Sequence, residues 1–276
     1  MTFQIMPSTP VSQRPIPILM YHQIVEPPPK GAPYRSLYVS PDAFSRQLGL
    51  LKRLGYTGLS MGNLLPYLRG ERQGKVVGIT FDDGYLNNLT NALPILNQHG
   101  FSSTCYAVGG LLGQTNIWDK DAGIGQVPLM DPGGLQRWVQ GGQEVGAHTF
   151  KHINMLAVAD EACRTDMAQC KDVLESATGV KQAHFCYPYG RYSRVHTLMA
   201  REAGYQTATT TRRGRCHSEP DLFQLPRITV ARSTTLLALW LKIATPYEDF
   251  RGKREIQRQA VLDARRAQEP GCVLPS

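Results

Sequence analysis

The sequence predicts an α/β fold whose parallel sheet closes into a distorted (β/α)7 barrel of a single domain. Strand-like and helix-like segments alternate over most of the 276 residues, and about seven such units follow one another. The hydrophobic fraction of 42% and the charged fraction of 19% are those of a globular protein. An open doubly wound sheet is the second architecture that this alternation allows. In both, ligands bind at the carboxyl ends of the strands.

The first part of the chain contains two predicted strands separated by helices. PIPILMYHQI is a buried strand ending at Tyr21-His22, and the proline-rich EPPPKGAP that follows is a loop. Ser40 and Pro41 are a suitable N-cap and first residue for a helix that stops at Gly55. MGNLLPYLRG is a short helix, and KVVGITF is a strand rich in β-branched residues.

From residue 87 onward, helix and strand patterns alternate regularly. NNLTNALPILNQHG is a helix and FSSTCYAV a strand, and the glycine-containing connection from Gly109 to Pro132 is of the kind that often shapes a site. The remaining segments are a helix (GGLQRWVQGG), a strand (QEVGAHT), a helix (DEACRTDMAQCKDVLESATG), a strand (AHFCYPYG), a helix (SRVHTLMAREAG) and two strands (YQTATTT and LFQLPRITV).

Three regions are expected: an N-terminal extension (1–14), the barrel (15–245) and a basic C-terminal helix or tail (246–276). The net charge is +8, and a basic C-terminus can contact a membrane or an anionic carrier, or simply be a solvated face. No aromatic residues interleave with these charges, so a nucleic-acid partner is not expected. The start, MTFQIMPSTPVSQRP, lacks the features of a secretory signal, and no apolar run is long enough to span a membrane. A cytoplasmic location is therefore expected.

Polar or conformationally special residues follow five of the predicted strands at their carboxyl ends. Because these ends meet at one rim of a parallel barrel, we expect the residues to lie close together. They are Tyr21-His22, Asp82-Asp83-Gly84, the segment from His148 to His152, Pro188-Tyr189-Gly190 and Arg227.

Two of these motifs together predict a metal site. His-x3-His alone is equally typical of a hydrogen-bonded surface pair, and Asp-Gly alone is usual in turns. In combination, two imidazoles and one carboxylate form a common ligand set for a catalytic transition ion. The second carboxylate can accept a proton from water beside the ion, and the cation offsets the repulsion between the adjacent acids Asp82 and Asp83.

The motifs TFDDGY, HTFKH, YPYG and LPRI, in this order, resemble those of the polysaccharide deacetylases, carbohydrate esterase family 4, from about Ile18 to Val230. The resemblance implies a distorted (β/α) barrel, one divalent metal ion, commonly zinc with cobalt or nickel as alternatives, and removal of acetyl groups from amino-sugar polymers. By position, it implies three metal ligands, a general base, and a residue that lines the site and offers its backbone N–H to the oxyanion. These are Asp83, His148 and His152 as ligands, Asp82 as the base, and Tyr187 as the oxyanion donor.

Two positions depart from the family pattern. Cys186 stands where many members have an arginine that orients the base, and Arg227 is expected to supply this cation instead. No histidine follows His217, so the usual final Leu-x-His motif with its general acid is absent. ILMYHQI resembles the subgroup that deacetylates poly-β-1,6-N-acetylglucosamine, whose barrel is circularly permuted. On this interpretation, His22 is the general acid.

The sequence therefore predicts a metal-dependent hydrolase that removes acetyl groups from the N-acetylated amino sugars of a polysaccharide or oligosaccharide, such as an exopolysaccharide. It would act on amide bonds other than peptide bonds. One alternative is a cytoplasmic deacetylase or deformylase of a lipid-linked or nucleotide-linked sugar. Another is a non-catalytic carbohydrate-binding member of the fold, which the missing arginine and terminal histidine favour and the complete Asp-Asp-His-His set disfavours.

Overall fold

The computed structural model of the protein describes residues 14–268, with residues 259 and 262–268 described by their backbone alone. The strands in this range are β1 (Ile18–Tyr21), β2 (Gln23–Ile24), β3 (Tyr38–Val39), β4 (Thr57–Leu59), β5 (Val76–Phe81), β6 (Thr104–Ala107), β7 (Glu144–Ala147), β8 (His184–Cys186), β9 (Thr207–Arg213) and β10 (Leu225–Thr229). The α-helices are α1 (Pro41–Arg53), α2 (Met61–Leu68), α3 (Leu93–His99), α4 (Pro132–Gln140), α5 (Asp160–Thr178), α6 (Arg194–Glu202), α7 (Leu236–Ala244) and α8 (Tyr247–Gln268).

Seven of the strands form a closed parallel barrel. In order around the barrel they are β1, β5, β6, β7, β8, β9 and β10, and β10 pairs back with β1. The first strand of the chain closes the barrel, because Leu19 is in register with Ile79 on one side and Ile228 on the other. The predicted (β/α)7 barrel is thus confirmed, and the open doubly wound sheet is excluded.

Three short strands were not expected from the sequence. β4 pairs with the first half of β5, from Thr57 opposite Val76 to Leu59 opposite Gly78, while β6 pairs with the second half. β2 and β3 pair with each other outside the barrel. Two or three residues are too few to show the two-residue periodicity that identifies a strand, so only the pairing reveals them.

Local sequence signals explain most helix boundaries. Ser40 caps α1, because its side chain accepts a hydrogen bond from the amide of Ala43. The predicted helix after residue 87 begins as a π-helical turn (Asn88–Ala92) and continues as α3, whose second residue, Pro94, has no amide hydrogen to donate. It ends at Gly100, which has the left-handed conformation (φ 69°) that favours glycine.

The core lies between the barrel strands and the surrounding helices. All six residues of β5 are buried, as expected for a parallel strand that is covered on both faces. The rings of Phe44 and Trp138 pack edge-on against Phe81, with centroids 5.7 and 5.8 Å away. Burying each such side chain contributes about 1.5–3 kcal/mol. This packing holds β5, and therefore the two acids that follow it, in place.

The basic C-terminal region is anchored to the barrel by one face of α8. Glu248 is fully buried, where it accepts two hydrogen bonds from Arg213 and lies 3.7 Å from the ammonium of Lys242. Gly252 allows close approach, since a Cβ there would lie 2.0 Å from the carbonyl oxygen of Arg213.

Most of the predicted N-terminal extension (1–13) and the end of the tail (269–276) lie outside the described residues. None of the helices between residues 14 and 268 has the length and hydropathy needed to cross a membrane.

Candidate active site

An open pocket of about 620 Å³ lies at the carboxyl ends of the barrel strands. It brings together residues that follow four of the five strands named from the sequence. The fifth expectation is wrong, because Arg227 lies within β10 and is fully buried. The lining residues are His22, Gln23, Tyr34, Leu37, Tyr38, Asp82, Asp83, Tyr85, Trp118, Asp119, Ile124, His148, His152, Tyr189 and Thr211.

Asp83, His148 and His152 point their donor atoms at one another within the buried wall of this pocket. Oδ1 of Asp83 lies 3.5 Å from Nε2 of His148 and 3.3 Å from Nε2 of His152. The other ring nitrogens are engaged: Nδ1 of His148 lies 2.8 Å from the carbonyl oxygen of Cys186, and Nδ1 of His152 lies 3.0 Å from the hydroxyl of Tyr189. Such partners on Nδ1 leave Nε2 as the ligand atom, so this set of donors fits a divalent transition ion.

The charges in this cluster also fit a cation. Burial raises the pKa of Asp83, but hydrogen bonds from the two histidines outweigh it, and the pKa lies well below its usual value. Burial lowers the pKa of His148, but the nearby Cys186 and the hydrogen bond to Asp83 raise it well above the usual value. Burial also lowers the pKa of His152. In this case burial outweighs the effect of Asp83, and the pKa lies below its usual value. The cluster thus stabilises one positive charge beside Asp83, which either a proton or a metal ion can provide.

The backbone around the pocket is strained. Of the six non-glycine residues with positive φ in the described chain, four line the pocket: Tyr34 (51°), Asp83 (74°), His152 (54°) and Tyr189 (57°). Each such conformation costs of the order of 1–3 kcal/mol and persists only where the surroundings hold it. Two of the candidate metal ligands are therefore fixed at turns that the rest of the fold must stabilise.

Asp82 forms a buried ion pair with Arg227. Nη1 of Arg227 donates to Oδ1 of Asp82 at 2.6 Å, and Nη2 donates to Oδ2 at 2.8 Å. The guanidinium also contacts the thiol of Cys186 at 3.1 Å, so it lies beside the residue that replaces the usual arginine. Burial raises the pKa of Asp82, but Arg227 outweighs burial and the pKa is lowered. The carboxylate is therefore held ionised, in one orientation.

His22 is next to the same carboxylate. Its Nε2 lies 3.9 Å from Oδ2 of Asp82, and its side chain is 16% exposed toward the pocket. Its carbonyl oxygen accepts a hydrogen bond from Nδ2 of Asn88 at 2.9 Å, which links the end of β1 to the turn after β5. The strand that closes the barrel thus brings an imidazole to the paired acids.

Tyr187 does not have the predicted position. Its ring stacks on Tyr192, its hydroxyl donates to the carbonyl oxygen of Phe223, and its backbone N–H donates to the carbonyl oxygen of Thr209 within the barrel. Because the side chain lies in the core and the N–H is used in strand pairing, the assignment of Tyr187 as site-lining residue and oxyanion donor is wrong. Of the two tyrosines in the YPYG motif, Tyr189 is the one that lines the pocket, and its place in the strand-end segment Pro188-Tyr189-Gly190 was the available signal.

The long connection between β6 and α4 contributes residues that the sequence did not identify. Trp118 stacks on the ring of His152, with centroids 4.3 Å apart and an interplanar angle of 24°. Asp119 places a third carboxylate at the pocket, and burial raises its pKa. No motif surrounds either residue, and only the length of the connection suggested a role in a site.

The profile of the polysaccharide deacetylase family matches residues 69–208. The chain is 26% identical over 218 residues to the putative polysaccharide deacetylase YxkH of Bacillus subtilis. This alignment covers 78% of this chain and 71% of that protein. It is 23% identical over 255 residues to the poly-β-1,6-N-acetyl-D-glucosamine N-deacetylase of Escherichia coli K12. That match covers 79% of this chain but only 37% of the longer relative.

Two solved structures have the same fold. The Streptococcus pyogenes deacetylase PplD, in complex with acetate, superposes with a TM-score of 0.74 at 26% identity and covers 84% of this chain and 99% of that one. IcaB from Ammonifex degensii superposes with a TM-score of 0.71 at 22% identity, covering 84% and 98% of the two chains. The family profile spans half of this chain and contains Asp82, Asp83, His148 and His152. The chain therefore belongs to the polysaccharide deacetylase family.

Proposed function

We propose that this protein is a metal-dependent hydrolase that removes acetyl groups from the N-acetylated amino sugars of a polysaccharide or oligosaccharide, for example an exopolysaccharide. The observation that carries the proposal is the pairing of two carboxylates in one pocket. Asp83 faces the Nε2 atoms of two histidines, while Asp82 is held by a buried arginine. A ligand set and a separate ionised base are the two components that metal-assisted amide hydrolysis needs.

Asp83, His148 and His152 would hold the ion. Two imidazole nitrogens and a carboxylate suit zinc best, and cobalt and nickel accept the same donors. When bound, the ion acts as a Lewis acid that polarises the acetyl carbonyl and acidifies the attacking water. The engaged Nδ1 atoms of both histidines keep their Nε2 atoms directed at Asp83.

Asp82 would act as the general base. It accepts a proton from the attacking water, a role that requires an ionised carboxylate close to the ion. Arg227 is a positioning residue here, since it keeps the pKa of Asp82 low and fixes both carboxylate oxygens. General acid–base help of this kind contributes a factor of about 10²–10⁴ to the rate.

His22 would protonate the departing amine. An amide nitrogen leaves as a neutral amine only if it receives a proton, and His22 is the imidazole that lines the pocket beside Asp82 at 3.9 Å. It comes from the strand that closes the barrel, so it replaces the absent C-terminal histidine without any change in the other motifs. The proton that Asp82 takes up and the proton that His22 gives up balance over one turnover.

The pocket favours a neutral glycan over an anionic one. Its acids are Asp82, Asp83 and Asp119, and its rings include those of Tyr34 and Trp118. Aromatic rings suit the apolar faces of sugars. Arg227 neutralises Asp82, and the positive charge beside Asp83 neutralises that residue. Asp119 is then the carboxylate that opposes the diphosphate of a nucleotide-linked or lipid-linked sugar. The name of the Escherichia coli relative points to poly-β-1,6-N-acetylglucosamine as the first polymer to test.

The proposal is tested by acetate release coupled to metal analysis. The zinc-loaded chain is incubated with N-acetylglucosamine oligomers of β-1,6 and β-1,4 linkage and with a nucleotide-linked N-acetyl sugar, beside a chelator-treated sample. We expect acetate from at least one oligomer, no release after chelation, and recovery when zinc is restored. Turnover of the nucleotide-linked sugar alone would favour the second substrate class. Glycan binding by a zinc-loaded sample without acetate release would indicate the non-catalytic alternative.

A further inference from the structure

The loop that connects the two histidine ligands has an unusual backbone. Between His148 and His152 the chain passes through Thr149 with a φ of 63° and reaches His152 with a φ of 54°. Two left-handed non-glycine residues within four positions are costly. The loop must therefore be held by contacts from outside itself, because its own residues do not prefer this conformation.

One side chain binds two consecutive backbone amides of the loop. Asp166 of α5 accepts a hydrogen bond from the N–H of Phe150 at Oδ1 (2.6 Å) and another from the N–H of Lys151 at Oδ2 (3.1 Å). Asp166 is only 6% exposed. The other buried residues of α5 are Cys163, Met167, Cys170 and Leu174, so a charged residue interrupts an otherwise apolar face.

The opposite side of the loop is held by two glycines. The N–H of Gly109 donates to the carbonyl oxygen of Thr149 at 3.2 Å, and the N–H of Gly110 donates to that of Phe150 at 2.8 Å. A Cβ at residue 110 would lie 2.6 Å from this carbonyl oxygen. The peptides between the two histidines are thus clamped on both sides, by a carboxylate on one and by backbone amides on the other.

The cost of burying Asp166 indicates what it does. Burial raises its pKa, and the two backbone N–H groups together with the charge of Lys151 only partly counteract this. A buried carboxylate without an arginine or histidine partner in the described chain is an expensive way to stabilise a helix face. It is an efficient way to fix a loop, because an ionised acceptor binds two amides at once and more strongly than a neutral one.

We propose that Asp166 is a positioning residue for the metal ligands. By holding the amides of Phe150 and Lys151, it sets the separation and direction of His148 and His152. This inference rests on the proposed metal site, and it assigns to α5 a role in that site although the helix contributes no ligand. Loss of the clamp weakens metal binding while the barrel stays folded.

The test compares Asp166→Asn with Asp172→Asn, which changes an exposed carboxylate on the same helix. Zinc affinity of the full chain is measured by competition with a chromophoric chelator, and thermal unfolding of the metal-free protein by circular dichroism. We expect Asp166→Asn to raise the zinc dissociation constant by about 10–100-fold, as outer partners of metal ligands do. Its acetate release should recover at saturating zinc. Asp172→Asn should match the wild type in both measurements.

An Asp166→Asn protein with wild-type zinc affinity and a lower unfolding temperature would overturn the inference, because the carboxylate would then stabilise only the fold. If this variant does not fold, Gly110→Ala takes its place, since the added methyl group displaces the carbonyl of Phe150 from the other side. It should weaken zinc binding too, and unchanged affinity would equally refute the clamp. Absence of zinc binding by the wild type would instead refute the proposed metal site.

Discussion

The two ends of strand β7 carry the same kind of chemistry with different outcomes. At its amino end Glu144 lies 3.4 Å from Nε2 of His184, and just past its carboxyl end His148 lies 3.5 Å from Asp83. The oxygens of Glu144 also accept hydrogen bonds from the amide of Gly62 and the hydroxyl of Thr104. At the other end, the Nε2 atoms of two histidines converge on one carboxylate oxygen.

An acid–histidine pair is therefore not by itself a metal site. Glu144 links the start of α2 to the barrel, because its partners are a backbone amide and a strand hydroxyl. Asp83 occupies a left-handed turn, with both of its partners directed at one point of an open pocket. Geometry at the carboxyl rim, and not the residue types, distinguishes the candidate metal centre from a structural pair.

The strongest test of this comparison removes one acid from each end. Asp83→Ala should abolish zinc binding and acetate release, because two imidazoles alone do not form a three-ligand site. Glu144→Gln should keep its zinc, because it changes no candidate ligand. Zinc content by atomic absorption and acetate release measure both effects. A Glu144→Gln protein without zinc, or an Asp83→Ala protein that retains it, would contradict the distinction between a structural pair at Glu144 and a metal centre at Asp83.

The second prediction separates the two neighbouring acids at the rim. Asp82→Asn should keep zinc at the wild-type level but lower turnover by about 10²–10⁴-fold, because the amide cannot accept the proton. The variant is nearly isosteric, but it removes the charged partner of the buried Arg227, which lowers the free energy of unfolding. Turnover is therefore compared per folded, zinc-loaded molecule. Zinc-replete protein with near wild-type acetate release would sink the assignment of Asp82 as the base.

The third prediction concerns the buried ion pair. Arg227→Ala leaves the carboxylate of Asp82 buried without its partner, and this should lower the free energy of unfolding by about 3–5 kcal/mol. Arg215→Ala is the control, because the guanidinium of Arg215 also donates two hydrogen bonds to an acid, both to Oδ2 of Asp249, yet belongs to the α8 interface. Urea unfolding and turnover are measured together. Only Arg227→Ala should lower the turnover of the folded fraction, and equal turnover in both variants would contradict the positioning role.

The fourth prediction tests the proton donor. His22→Ala should lower acetate release from an unactivated N-acetyl sugar by about 10²-fold, in the range of general acid catalysis. The effect should be much smaller with an aryl acetate, whose leaving group needs no proton. Full activity of His22→Ala on the N-acetyl sugar would show that His22 is not the general acid.

The smallest effect is expected at the structural pair. Burial lowers the pKa of His184, so this residue stays neutral in the folded protein and takes up a proton on unfolding. The unfolded state then binds more protons, and stability contributed by this residue is lost as the pH falls below its unfolded pKa of about 6.5. Urea unfolding between pH 5 and 8 should show a weaker pH dependence for His184→Gln than for the wild type, with zinc content unchanged. An unaltered dependence would contradict the neutral state of His184.

Much of the fold and of the site could be predicted from the sequence. The alternation of strands and helices predicted the barrel, and the strand-end rule predicted that Asp82, His148 and His22 would meet. The missing arginine and histidine of the family pattern directed attention to Arg227 and His22, and both lie beside Asp82. These predictions succeeded because periodicity and strand ends are local properties of the chain.

Three features could not be predicted in this way. Tyr187 and Tyr189 are two residues apart, and only the fold shows that the first enters the core while the second lines the pocket. Trp118 reaches His152 through an irregular connection that has no periodicity to interpret. No motif in the sequence separates Asp166 from the other acids of α5. Only its hydrogen bonds with the amides of residues 150 and 151 distinguish it.

Residue order and spacing were enough to establish the type of fold, the family and the identity of the paired acids and histidines. Which groups converge on which atoms depends on how the chain folds. It seated Arg227 against both oxygens of Asp82, directed two imidazoles at Asp83, and placed Asp166 behind the ligand loop. A change of a few tenths of an ångström decides whether two groups form a hydrogen bond or share a ligand, and for residues far apart in the chain only the closed barrel sets such distances.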